Sequence, residues 1–289
     1  MNEIQLLEAL RSLAGHPAAR GLNDDAAVLE FGGETLVLTH DMLVEGVHTL
    51  PGQDPADIAW KLVAVNLSDL AAKGAEPIGV LLGHMLGESD DRFVDGLREV
   101  LALYDIPLLG GDTVSGKGAR SWGLTALGRA THKPVPSRGG AREGDGVYLV
   151  GTLGAAMMDF EAAQAGGKAG QAYCRPKPLL KEGQALAPHV TAMMDVSDGL
   201  LLDASRMARA SVATLAINTA AAPLAAPESR RAEALRWGDD YALLFTASPN
   251  GTLPVPATRI GNVLPQGEHP LLIDGAPPAP GDSLGYLHR

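Results

Sequence analysis

Five short segments of this chain set aspartate beside glycine, serine, threonine or asparagine. They are Asn23-Asp24-Asp25-Ala26-Ala27, Thr39-His40-Asp41, Asn66-Leu67-Ser68-Asp69-Leu70, Gly110-Gly111-Asp112-Thr113 and Asp195-Val196-Ser197-Asp198-Gly199. Carboxylates gathered from scattered segments suit a hard divalent cation. Mg²⁺ takes oxygen ligands in octahedral geometry, keeps several waters, and shares its remaining positions with phosphate oxygens. Phosphoryl transfer needs such positioning and charge neutralisation more than it needs covalent help from the protein. A single Asp-Asp or Asp-Gly is ordinarily turn chemistry or a helix cap, so the signal lies in the set. Asp69 stands apart, because it interrupts the apolar helical run LVAVNLSDLAA, where an ionised group is costly without a partner or a metal. Ser197 or Asp198 is placed to cap a helix starting near Gly199, and a helix N-terminus also favours anions.

Other chemistries lack their residues. There is no G-x-x-x-x-G-K-[ST], no G-x-G-x-x-G and no kinase H-R-D set. The eight histidines form no H-E-x-x-H, the serines form no G-x-S-x-G, and Cys174 alone makes neither a disulfide nor a Cys-rich zinc site. Hydrophobic residues at 46% and charged residues at 20% describe a globular chain. A net charge of −11 opposes binding to a phosphate backbone, and 4% aromatics give little for base stacking. No stretch of about 18 residues is free of charges and breakers, so no membrane span is expected. MNEIQLLEALRSL reads as an amphipathic helix rather than a signal peptide, and the expected location is cytoplasmic.

The elements that must hold these segments alternate between strand and helix, which predicts an α/β (α+β) protein. Strands are expected at 26–30 and 35–40 across a Gly32-Gly33 turn, and a helix over 56–73 is stopped by Gly74. A buried strand near 77–86, a helix over 91–104 and a strand over 121–130 follow. The run THKPVPSRGGAREGDG at 131–146 is rich in Pro, Gly and charge and marks a domain junction. Beyond it come a strand at 147–151, helices at 154–165 and 178–187, a strand ending in MMDV at 193–196, a helix over 199–210, a loop at 220–227 and a strand at 241–246.

Taken in order, the segments resemble the thiamine-monophosphate kinase family. That family belongs to the superfamily of aminoimidazole-ribonucleotide synthetase, selenophosphate synthetase and a carbamoyl-dehydrating hydrogenase maturation protein. The resemblance spans nearly the whole chain. It is carried by DIAWKLVAVNLSDLAAKGAEP at 57–77, GGDT at 110–113, DVSDGL at 195–200, GDDYALLFT at 238–246 and Asp41-Met42-Leu43-Val44-Glu45-Gly46-Val47-His48. It implies a two-domain synthetase-like fold, with residues 1–138 as the ATP, Mg²⁺ and dimerisation domain and 139–289 as a C-terminal α/β domain. The N-terminal domains of a homodimer would pair into an intersubunit β-barrel. The implied reaction is direct in-line transfer of the ATP γ-phosphoryl group to thiamine monophosphate, with several Mg²⁺ ions. Carried over by position, Asp25, Thr39, Asp41, Asp69, Asp112, Asp195 and Asp198 would hold metal, with Asp69, Asp112 and Asp195 central to catalysis. Gly111, Asp112, Arg138 and Ser197 would contact ATP, and His48, Asp239 and Tyr286 the thiamine substrate.

The chain departs from the family pattern at four places. Asn23 replaces a glycine, at a turn whose unusual backbone angles asparagine tolerates. His40 replaces Ser or Thr before Asp41, which brings an ionisable ring next to a metal position. Val114-Ser115 stands where an arginine is common, and Asp239 replaces a glutamate. Two other readings share these residues: an ATP-using enzyme of the same superfamily with another acceptor, and a catalytically idle nucleotide-binding relative. The reactive N-terminal cysteine of the selenophosphate branch is missing, since Cys174 is the only cysteine.

Overall fold

The computed structural model describes residues 3–287, and the first two residues of the expected N-terminal helix lie outside that range. The elements run α1 (Glu3–Arg11), β1 (Ala27–Phe31), β2 (Glu34–Val44), α2 (Pro55–Ala72), β3 (Ala75–Met85), α3 (Asp90–Tyr104), β4 (Leu108–Val114) and β5 (Ser121–Ala130). After the 131–145 connection come β6 (Gly146–Val150), α4 (Ala155–Gln164), the single turn α5 (Gln171–Cys174), α6 (Leu180–Leu186), β7 (Ala192–Val196) and α7 (Leu200–Ser211). The chain closes with β8 (Thr214–Ile217), α8 (Arg231–Trp237), β9 (Ala242–Ala247), β10 (Thr258–Leu264) and β11 (Leu271–Ile273).

Two sheets result. The first has the order β1-β2-β5-β3-β4, the second β11-β8-β10-β6-β9-β7. The β1–β2 hairpin turns on Gly32 and Gly33, both at positive φ (60° and 90°), as a two-residue turn matched to strand twist requires. Along β2 the buried side chains alternate through Thr35, Val37 and Thr39, so one face meets the core and the other does not.

Helix α2 lies between the sheets. Asp54 caps it by accepting the Ala56 N–H at 3.0 Å, Pro55 opens it, and Gly74 at φ 59° lets the chain leave. Every side chain from Ala56 to Ala72 except Asp57 is buried, the mark of a helix enclosed on all sides. Its apolar residues pack with Val37, Trp122 and Leu124 of the first sheet. At its C-terminal end Ala71 and Ala72 pack with Tyr148, Leu243 and Phe245 of the second. The far face of the second sheet is covered by α7 through Leu201, Ala204 and Met207. The layers are therefore sheet, helix, sheet, helix.

Candidate functional site

The NLSD run of α2 explains why the aspartates meet. Asn66 and Asp69, one helical turn apart, both face β2. Asn66 Oδ1 accepts the Asp41 backbone N–H at 3.0 Å, and Asp69 accepts a short hydrogen bond from the Thr39 hydroxyl. Ser68, between them, looks the other way and donates to Asp195 Oδ2 at 2.6 Å, at the end of β7. One turn of helix thus ties both sheets to one point. Asp25, just before β1, joins them, and ligand oxygens of Asp25, Asp69 and Asp195 all lie within 4.8 Å of one another.

The carboxylates differ sharply in company. Asp69 and Asp195 are 8% and 3% exposed, and the groups acting on them are other carboxylates and one hydroxyl each. Burial first, then the charges of Asp41, Asp195 and Asp25, pushes the Asp69 carboxyl well up. Burial and Asp25 push Asp195 up to about 8, and burial with Asp25 and Asp198 pushes Asp41 up to about 6. Burial acts the same way on Asp25, but the Arg138 guanidinium and the Lys73 ammonium outweigh it and hold that carboxyl low. Asp24 is likewise held low by Lys73 and Arg20 against its burial. Three clustered carboxylates, two of them buried without a cation, are a set of hard oxygen donors that fits a divalent ion such as Mg²⁺.

A cavity of about 600 Å³ opens beside this cluster. Six residues singled out from the sequence line it: Asp41, His48, Ser197, Asp198, Asp239 and Tyr286. The turn after β7 and the loop after α8 form its C-terminal wall, and they approach closely. Asp239 N–H donates to the Ser197 carbonyl at 2.8 Å and Tyr241 N–H to the Val196 carbonyl at 2.9 Å. Gly238 permits this: its φ is 92°, and a Cβ there would lie 2.4 Å from the Ser197 carbonyl oxygen. Asp239 is itself held from two sides, by the Lys61 ammonium at 2.8 Å and the Tyr241 hydroxyl at 2.9 Å. Lys61 is 1% exposed, lies 4.0 Å over the Tyr173 ring and also donates to the His48 carbonyl.

Several expectations meet a different arrangement. Asp112 and Gly111 lie on β4, which is exposed along its whole length, and Asp112 is not among the three converging carboxylates. A Cβ at Gly111 would lie 1.9 Å from the Leu82 carbonyl oxygen, so that strand position excludes a side chain. His40 cannot act on the metal side of β2, because strand alternation turns it away from Thr39 and Asp41; it bonds Thr125 Oγ1 at 2.9 Å on the opposite face. Neither Ser197 nor Asp198 caps α7. Instead Asp203, in its first turn, accepts the Asp198 N–H at 3.1 Å and pairs with Arg206 at 2.9 Å, while Arg206 also contacts Asp198. Arg138 is no free loop arginine but is ion-paired to Asp25.

Four aromatic side chains of the cavity were given no role from the sequence: Phe160, Tyr173, Trp237 and Tyr241, the last quoted only within the GDDYALLFT motif. They come from three elements and a loop, with no shared period to betray them. Lys61 and Lys73 were missed as well. Both interrupt or end the same buried helix as Asp69, and the cost of an isolated charge there was the available signal.

Similarity to known proteins follows the same lines. The profile of the AIR synthase related protein N-terminal domain matches residues 23–130, and that of its C-terminal domain matches residues 142–264. The thiamine-monophosphate kinase of Escherichia coli strain K12 is 36% identical over 301 residues, covering 93% of this chain and 91% of that protein. The chain belongs to the thiamine-monophosphate kinase family. The family member from Caulobacter vibrioides is 38% identical over 258 residues, covering 82% of this chain and 73% of its own length. The structure described as AaThiL complexed with AMPPCP and TMP superposes with a TM-score of 0.88 at 28% identity, covering 100% of this chain and 97% of that one. The two sheets and the enclosed helix are therefore the fold of this family.

Proposed function

We propose that this chain phosphorylates thiamine monophosphate with ATP, giving thiamine diphosphate and ADP by direct in-line transfer, with Mg²⁺ held by the carboxylate cluster. The observation that carries this reading is a shared wall: Asp41 belongs both to the β2 row that meets the cluster and to the lining of the aromatic cavity. The related structure complexed with an ATP analogue and TMP supports the same pair of ligands.

Asp69 and Asp195, with Asp41 and Asp25 beside them, would hold the metal. Bound there, Mg²⁺ supplies charge neutralisation to the phosphate oxygens. The chain's own residues do the positioning. Ser68 and Thr39 fix the rotamers of Asp195 and Asp69 by hydrogen bonds. Lys61 and Tyr241 aim the Asp239 carboxylate at the cavity, where five aromatic rings, Tyr286 included, suit a flat cationic heterocycle. Arg138, at the mouth of the cluster, is placed to exchange Asp25 for a phosphate oxygen.

We assign residues 1–138 to the ATP and metal half and 139–289 to the second half. The exposed apolar side chains of the first sheet (Met42, Leu81) and its unpaired β4 edge fit a second copy of the chain. No helix of the described residues is long and apolar enough to cross a membrane, and we place the enzyme in the cytoplasm. The test is direct. Purified protein with ATP, Mg²⁺ and thiamine monophosphate should yield ADP and thiamine diphosphate in equal amounts. ATP turnover without the diphosphate would assign the chain a different acceptor.

A further inference from the structure

Lys73, at the C-terminal end of α2, has a fully buried side chain. Its ammonium lies 2.5 Å from Asp24 Oδ1, 2.6 Å from Asp25 Oδ2 and 3.2 Å from the Met193 carbonyl oxygen. The contacts with Asp24 and Met193 are hydrogen bonds, whereas the contact with Asp25 Oδ2 is an ion pair and that oxygen accepts no hydrogen bond. The remaining oxygen of Asp24 takes Arg20 at 2.5 Å, and the remaining oxygen of Asp25 takes Arg138. Both oxygens of both aspartates are thus ion-paired with cations. Asp69 and Asp195, a few ångströms away, have hydroxyl partners only.

The two cations on Asp25 are not equivalent. Arg138 is 19% exposed, and its long side chain can turn toward a phosphate arriving from solvent. Lys73 has no such route, because its stem is enclosed between the end of α2, the 24–25 segment and β7. A divalent ion on Asp25 Oδ2 would have to stand about 2 Å from an oxygen already ion-paired with a buried ammonium at 2.6 Å. Coulomb repulsion at that range in a poorly solvated site opposes shared occupancy.

We infer that Lys73 is a built-in counter-cation: its ammonium takes the place of a divalent ion on Asp25 Oδ2, and metal is confined to Asp25 Oδ1 and the Asp41, Asp69 and Asp195 side. Lys73 is then a positioning residue that sets how many metal ions the enzyme carries. This rests on the metal reading above, and the experiment separates the two. Mn²⁺ bound per chain is counted by electron paramagnetic resonance, with a non-hydrolysable ATP analogue present. Wild type and Lys73→Met are compared, with Lys73→Arg as the charge-keeping control. Lys73→Met should bind one further Mn²⁺, or bind Mn²⁺ more tightly by at least about tenfold, while Lys73→Arg keeps the wild-type number. Equal stoichiometry and affinity in Lys73→Met and wild type overturns the inference and leaves the metal reading standing. A wild type that binds no Mn²⁺ overturns both. Circular dichroism checks folding, and if Lys73→Met does not fold, Lys73→Gln, which keeps N–H donors toward Asp24 and Met193, is scored by the same two outcomes.

Discussion

Asp69 and Asp195 are acids that folding makes harder to ionise, and this fixes the sign of a pH effect. Their folded carboxyls titrate above the ordinary carboxylate range, Asp195 at about 8. The folded chain therefore holds protons that the unfolded chain gives up. Their contribution to stability is complete below the unfolded value of about 3.9 and is lost as pH rises through the folded one. Without divalent ions, the thermal midpoint should fall steadily from about pH 5 to pH 8.5, and Mg²⁺ should restore it most at the alkaline end. Scanning calorimetry in EDTA and in Mg²⁺ reads both slopes; parallel curves would mean the ions bind elsewhere. Asp69→Asn removes one of the opposed charges while the new amide oxygen still accepts from Thr39. We expect turnover to drop more than about hundredfold, and the metal-free protein at pH 8 to melt several degrees higher than wild type. Near-normal turnover in a folded Asp69→Asn would remove Asp69 from the metal set. Asp240 supplies a control outside the cluster. It is pushed up to about 8 by burial, and its Oδ1 accepts the Gly154 N–H at 2.8 Å. Asp240→Asn should flatten the pH dependence of stability without altering its response to Mg²⁺.

At the scale of elements, α2 does the joining, and small residues let its neighbours come close. A Cβ on Gly183 of α6 would lie 1.9 Å from the Ala71 carbonyl oxygen of α2. Gly183→Ala must push α6 off the end that carries Asp69 and Lys73, and should cost about 1–3 kcal/mol by denaturant titration with a weakened response of the melting point to Mg²⁺. Unchanged stability would show that α6 shifts freely. Helix α2, whose Asp54-Pro55 start is seen in the structure, was legible because its apolar positions and its Gly74 stop agree with one another. Strands β8, β10 and β11 were not. β8 and β11 have four and three residues, and β10 carries a register shift near Gly261, so none offers a sustained alternation. The cluster was readable because buried acids are conspicuous in an apolar run. The other aromatic rings of the cavity were not, because they become neighbours only when the 237–241 loop folds back on the turn after β7. Substitution patterns alone also misplaced His40: sequence puts it next to Asp41, but a strand sends adjacent side chains to opposite faces.

On the scale of the whole molecule, the position of Asp112 bears on the homodimer proposed above. The register runs Asp41–Leu124 from β2 to β5, Leu124–Leu82 to β3 and Leu82–Gly111 to β4. Three strand spacings of about 4.8 Å therefore put the Asp112 backbone roughly 14 Å from that of Asp41. Asp112 shares its own row with Met42, Gly123 and Gly83, the face turned away from α2. A carboxylate side chain does not bridge that separation within one chain, so if Asp112 serves the cluster it must do so from the second copy of the homodimer proposed above. The same strand is an open edge, exposed from Leu108 to Val114, beside the exposed Leu81, and such an edge is a surface built for pairing. In the proposed homodimer, a closed two-fold arrangement would give each copy the other's β4. Two inactive variants then complement each other. On that arrangement Asp69→Asn would spoil the site on its own chain, whereas Asp112→Asn would spoil the site on its neighbour. In a mixed dimer both lesions fall in one site and the other is intact. Unfolding and refolding an equal mixture should therefore recover about a quarter of wild-type turnover, since half the dimers are mixed and half their sites work. Leu81→Glu, which places a charge on the pairing face, should lower the dimer fraction in sedimentation and reduce that recovery in step. A mixture as inactive as its parents, from variants that still dimerise, would put Asp112 back on the chain that carries Asp69.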